Sequence, residues 1–249
     1  MQIKTDGIVI KQQKTNDNDR YLTILTRDNG IVRAYANSVC GIKSKMCSST
    51  SLMSYSDFII NESKGNYRVV SADLKKAFFN IGSDLTKVSL ASYLFDITST
   101  IAVPDSNCEE LLRLLLNTLH FLEQGSIEPL VLKSIFEFRA LALCGFAPQI
   151  AVCAGCGEYE TENPLFSIKT GELFCGDCFE QCEDKSMARE ISQDMLKALR
   201  FIIFAELKDV FKLRLSKELS VSLTQITEEF CRFQLEKQFD TLNFFYSVI

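Results

Sequence analysis

The sequence predicts an α+β chain of more than one domain: a small closed β-barrel, then an all-α helical domain into which a four-cysteine metal module is inserted. Three observations predict it. Alternating or β-branched segments fill residues 1–75, apolar residues then recur at helical spacing, and two Cys-x-x-Cys pairs interrupt the helical part. The expected boundaries are 1–78 for the barrel and 79–249 for the helical domain, with the metal module at about 149–185.

The barrel is read from five segments. "GIVIKQ" (7–12), "RYLTILT" (20–26) and "GIVRAYANSV" (30–39) are separated by the polar turns "KTNDND" and "RDNG", and Asn29-Gly30 favours a tight hairpin. After a Ser-rich loop, "YSDFIINES" and "YRVVSADL" form a second hairpin turning at Lys64-Gly65-Asn66. Five strands with a long connection after the third fit an OB-like barrel. An SH3-like barrel is the competing reading, and strand counting does not separate the two. An OB-like barrel holds single strands with cations and aromatics. The candidates are Lys11, Arg20, Arg27, Arg33, Lys43 and Lys45, with Tyr21 and Tyr35 nearby.

From about Leu74 the period becomes helical. "SNCEELLRLLLNTLHFLEQG" opens with Asn107 and Glu110 in capping-box spacing and closes on Gly125, and its leucines form a broad apolar face. "SIEPLVLKSIFEFRALALCG" follows, with Ser126 as expected N-cap, Pro129 in the first turn and Gly145 as the stop. Beyond the cysteines, Ile191, Met195, Leu199 and Ile202 make one helix face; Leu219, Leu223, Ile226, Phe230 and Phe233 make another. These stripes read as bundle core, with the cysteine segment inserted between helices that pack together.

Cys153, Cys156, Cys175 and Cys178 stand in the frame C-x2-C-x18-C-x2-C, which suits Zn2+ in a closed tetrahedral site. Redox dithiols are the competing reading, and Cys182 is a substitute ligand outside the paired frame. Four thiolates would fill the metal's shell, whereas a catalytic site keeps a position open for water. His120 is the chain's one histidine and sits in the Leu-rich helix as a boundary or core residue. With no nucleophile motif and no Gly-rich phosphate loop, the sequence supports no enzyme class. Residues 158–184 carry eight carboxylates against Lys169 alone, so the metal segment is expected to staple a small subdomain rather than hold phosphates.

Charge is unevenly placed. The net charge is −5, yet residues 1–80 hold 12 Lys and Arg against 7 Asp and Glu. The acidic balance therefore lies in the remainder. A second basic stretch, "LKDVFKLRLSK", offers Lys208, Lys212, Arg214 and Lys217; it reads either as a solvated turn or as further phosphate-contacting cations. No apolar run approaches a membrane span, and the N-terminus lacks a secretory pattern. No membrane partner is expected, and the scattered thiols fit a reducing cytoplasm.

The order of parts resembles the RecO family of bacterial recombination mediators. "FEFRALALCGFAPQIAVCAGCG" (136–157) is the most specific stretch; "GIVIKQQ…NDNDRYLTILTRDNGIVRAYA" resembles the family's opening strands and "RLSKEL…FCRFQLEKQFDTLNFF" its closing helices. The resemblance implies an OB-fold domain, a helical domain and a zinc module with no enzymatic active site. It also implies binding to single- and double-stranded DNA, annealing of complementary strands, and loading of RecA with RecR. The DNA would be coated by single-stranded-DNA-binding protein, whose acidic C-terminal tail is a further partner, and the location would be cytoplasmic and nucleoid-associated. Carried over by position, Cys153, Cys156, Cys175 and Cys178 hold zinc, Lys43 and Lys45 match the family's basic loop, and Arg20, Arg27 and Arg33 match basic barrel positions. Arg139 is a candidate for the acidic tail, with packing beside Glu137 as its other reading. The loop "ANSVCGIKSKMC" carries only those two lysines where the family is strongly basic, which implies weaker DNA affinity for the barrel.

Overall fold

In the computed structural model, which describes residues 1–39, 46–182 and 185–249, the N-terminal segments form β1 (Gln2–Lys14), β2 (Arg20–Thr26), β3 (Ile31–Ala36), β4 (Ser54–Ser63) and β5 (Asn66–Ala77). They close a barrel in the order β1-β2-β3-β5-β4, every neighbouring pair antiparallel except β3 with β5. This is an OB-fold barrel. Its inward positions follow the two-residue period: Val9, Leu22, Ile24, Val32, Ala34, Phe58, Ile60 and Val69 fill the core. Gly30 earns its place twice. It has φ +61°, and a Cβ there would lie 1.8 Å from the carbonyl oxygen of Val103.

The helices and the second sheet follow in chain order. They are α1 (Leu85–Ile101), α2 (Glu109–Gln124), α3 (Pro129–Leu143), β6 (Gln149–Cys153), β7 (Leu165–Ser167), β8 (Glu172–Phe174), α4 (Gly176–Glu180), β9 (Ala188–Glu190), α5 (Gln193–Phe204), α6 (Leu207–Val210), α7 (Lys217–Gln234) and α8 (Asp240–Val248). The chain divides into two compact units, Met1–Glu123 with Thr241–Ile249, and Gln124–Asp240. No helix among the described residues is long and apolar enough to cross a membrane.

In the first unit, the strand-to-helix change comes later than Leu74, because β5 runs on to Ala77 in register with Ser54 of β4. α1 buries most of its circumference, including Leu90, Ala91, Tyr93, Leu94 and Ile97. Thr241 donates to Asp96 (2.7 Å), which fixes α8 beside α1. Asn107 accepts the Glu109 N–H (3.0 Å) in a tight turn at the start of α2. Arg27 bridges the barrel to that turn, pairing with Asp6 (2.7 Å) and Glu109 (2.6 Å). The Arg27 guanidinium holds the Asp6 carboxyl well below the usual carboxylate range despite its burial, and the Tyr55 hydroxyl donates to the same carboxylate.

In the second unit, α3 is preceded by Glu128 as N-cap, not by Ser126: Pro129 occupies the first helical position, where its missing N–H costs nothing. α3 packs against α5 and α7. The rings of Phe138, Phe166 and Phe230 meet at 5.3–6.1 Å, joining α3, β7 and α7. A buried ion pair ties the same helices, with Lys133 2.9 Å from Glu137 and 3.2 Å from Glu228, and Thr227 donating to Glu137 (2.7 Å). The sheet order β6-β8-β7-β9 sets the cysteine pairs at one end of this unit's strands.

Candidate metal centre and nucleic-acid interface

Cys153 ends β6, Cys156 lies in the turn beyond it, Cys175 caps α4 and Cys178 sits within α4. Their Sγ atoms all fall within 4.8 Å of one another. Cys175 Sγ lies 3.8 Å from Cys153 Sγ and 3.9 Å from Cys156 Sγ. Thiolates at tetrahedral corners about 2.3 Å from a zinc ion stand about 3.8 Å apart, so the donor set fits that ion in size and chemistry. The approach is close enough to demand Gly155: a Cβ there would lie 2.7 Å from Cys178 Cβ and 2.8 Å from its Sγ. Burial raises the Cys153 thiol, but N–H groups of Cys156, Cys175 and Gly155 outweigh it and bring it down to about 6. Cys178 is pushed up by the neighbouring Cys175 thiol. Four thiols crowded together resist joint ionisation unless a cation shares their charge. Cys182 stands outside the cluster and contacts the Cys178 carbonyl oxygen (3.5 Å).

Arg200 of α5 fastens this module, a role that no sequence spacing signals. It donates to the carbonyls of Ile150 (2.8 Å), Ala151 (2.9 Å) and Tyr159 (2.8 Å), and its guanidinium stacks 4.1 Å from the Tyr159 ring centroid.

The second constellation is on the barrel. Strand register places Gln13 opposite Tyr21, Tyr21 opposite Tyr35 and Tyr35 opposite Arg68, a row crossing β1, β2, β3 and β5. A parallel row runs Lys11, Thr23, Arg33. Tyr21 and Tyr35 meet edge-on at 5.3 Å. The Arg33 guanidinium lies 5.0 Å from the Tyr21 centroid and that of Arg68 lies 6.0 Å from Tyr35. Tyr21, Tyr35, Tyr67, Arg33 and Arg68 help line a surface groove of about 800 Å³. A smaller recess of about 160 Å³ beside it is lined by Lys11, Gln13, Thr23 and Arg33. Tyr67 and Arg68 had no sequence signal, since only the parallel β3–β5 pairing brings them here.

The other basic candidates are placed differently. Arg20 donates to the carbonyls of Asn16 (3.1 Å) and Asp19 (2.9 Å), closing the β1–β2 loop. Arg27 is taken up by Asp6 and Glu109. Lys43 and Lys45 lie outside the described residues. In the second unit, Lys208 pairs with Glu206 (2.7 Å), Lys212 pairs with Asp209 (2.6 Å), and Arg214 donates to the Phe211 and Leu213 carbonyls. Lys217 is exposed at the first position of α7. Arg139 donates to the carbonyls of Ile202, Ile203 and Ala205 at the end of α5. His120 is half-buried, its Nδ1 3.1 Å from the Lys76 ammonium.

The chain matches two family profiles, Recombination protein O N terminal over residues 1–78 and Recombination protein O C terminal over residues 82–243. It is 31% identical to DNA repair protein RecO of Acetivibrio thermocellus over 242 residues, covering 97% of this chain and 95% of the relative. The protein of the same name from Caldicellulosiruptor bescii is 29% identical over 243 residues, covering 98% and 97%. That of Alkaliphilus metalliredigens is 26% identical over 237 residues, covering 95% of each.

Proposed function

Because the chain belongs to the recombination protein O family, we propose that it works in DNA repair as a recombination mediator without an enzymatic active site. It binds single- and double-stranded DNA, anneals complementary strands, and with RecR helps load RecA onto DNA coated by single-stranded-DNA-binding protein, whose acidic tail it contacts. The observation that carries this reading is the row Gln13–Tyr21–Tyr35–Arg68 across four barrel strands. Ring faces suit unpaired bases, and the flanking guanidiniums and Lys11 suit phosphates. Annealing needs no bond-making by the protein. Neutralising phosphates on two strands lowers their repulsion, and base pairing supplies the driving force.

Cys153, Cys156, Cys175 and Cys178 would hold Zn2+, which supplies cross-linking of a segment too small to bury a core of its own. Four sulfurs would fill the shell of such an ion and leave no position open for water, so its part would be structural. A second reading, a zinc-stapled adaptor with little DNA affinity, draws on the local pairing of Lys208 and Lys212 with carboxylates.

A fluorescence assay with complementary oligonucleotides tests the choice. The protein is expected to bind the single strand and speed annealing, and Arg33→Glu with Arg68→Glu is expected to weaken both about tenfold or more. A wild-type protein that neither binds nor anneals, with RecR or without it, overturns the DNA reading.

A further inference from the structure

Asp19 sits at the end of the β1–β2 loop, beside the groove, and is 9% exposed. Its Oδ2 accepts the Tyr35 hydroxyl (2.7 Å) and the Asn16 amide (3.0 Å), while Oδ1 accepts the Ser38 backbone N–H (2.8 Å). A carboxylate beside a phosphate-binding face should, by charge alone, weaken binding to a polyanion. The geometry assigns it the opposite effect. Its oxygens are occupied by three donors, and one donor is the hydroxyl of a tyrosine whose ring lines the groove.

We propose that Asp19 is a positioning residue of the nucleic-acid interface: it fixes the Tyr35 ring as a platform for an unpaired base and anchors the exit of β3 through Ser38. The inference rests on the DNA reading above and names what its groove takes, which is a nucleobase outside a duplex. A tyrosine tethered at its hydroxyl keeps its ring face in one orientation, so little side-chain freedom is lost when a base stacks on it. Duplex bases are already stacked on each other and cannot use this platform. The second Asp19 oxygen works on the backbone. Ser38 has φ +54°, a left-handed conformation uncommon for serine, and its N–H is held where the chain leaves β3 toward Lys43 and Lys45.

Fluorescence anisotropy with a labelled oligodeoxythymidylate and an abasic strand of equal length tests this, using the full chain. Asp19→Ala is expected to weaken binding to the base-bearing strand about five- to tenfold, with affinity for the abasic strand unchanged or higher. Tyr35→Phe, which keeps the ring and loses the tether, should show the same base-dependent loss. Adding Asp19→Ala to it should change base binding little further. Asp19→Asn, which retains an acceptor oxygen, should recover part of the loss. Equal or tighter binding of the base-bearing strand by Asp19→Ala overturns the proposal, as does an equal loss on both strands. If Asp19→Ala is unfolded at the assay temperature, Tyr35→Phe decides alone: no base-dependent loss overturns the proposal. A wild type that binds neither strand overturns the DNA reading itself, which separates the two failures.

Discussion

Arg139 and Arg27 show what single residues do once neighbours are known. Both are basic residues in segments that resemble a nucleic-acid-associated family, and both face inward obligations. Arg139 gathers three carbonyl oxygens at the end of α5, groups a helix C-terminus otherwise leaves to water. Arg139→Ala should therefore cost about 2 kcal/mol, read as a lowered urea midpoint for the second unit. Arg27 serves Asp6. Asp6 is depressed in the folded chain, so its stabilisation is full above the unfolded value of about 3.9 and fades as pH falls toward the folded one. Urea midpoints measured from pH 7 down to pH 3 should fall below about pH 5, and Asp6→Asn should flatten part of that fall. Charge counting groups Arg27 with Arg33, because a composition does not reveal which cation already has a carboxylate within reach.

At the scale of elements, legibility follows locality. The Cys-x-x-Cys pairs were readable because each pair is made within one turn, and Asn29-Gly30 was readable because a hairpin is local. α1 left no narrow stripe to find: it is buried over most of its circumference, so its apolar residues show only a weak single-face period. Arg200 was invisible for the opposite reason, since its partners in β6 and at Tyr159 are 41 to 50 positions away. The metal module makes the clearest element-scale prediction. A strong zinc chelator should remove amide-exchange protection from β6, β7 and β8 while the barrel strands keep theirs, because the barrel has its own core. Gly155→Ala should lower metal affinity on the order of tenfold, the scale seen when the support of a ligand is disturbed. Chelation that leaves the exchange pattern unchanged would contradict a structural role for the metal.

For the whole molecule, the 12 Lys and Arg of residues 1–80 are spread more widely than a single face. Among the described residues, Lys11, Arg33 and Arg68 are the cations placed in the two rows of the barrel face. Three phosphate contacts predict a slope near −2 in log affinity against log salt for a single strand. A slope steeper than about −3 would mean that cations beyond these rows, Lys43 and Lys45 first, carry much of the binding. Titration of the full chain against an oligonucleotide at several salt concentrations measures it. The row itself closes where β3 meets β5, over Ala34↔Tyr67 and Tyr35↔Arg68, while β4 and β5 stay paired, through two bulges, from Ser54↔Ala77 to Ser63↔Asn66. That junction joins residues far apart in the chain by few rungs, so its formation carries a larger loop-closure cost than any of the three hairpins. The row thus straddles the barrel's thinnest seam, and a nucleic-acid strand lying along it would act as a clasp, holding shut the fold that holds it.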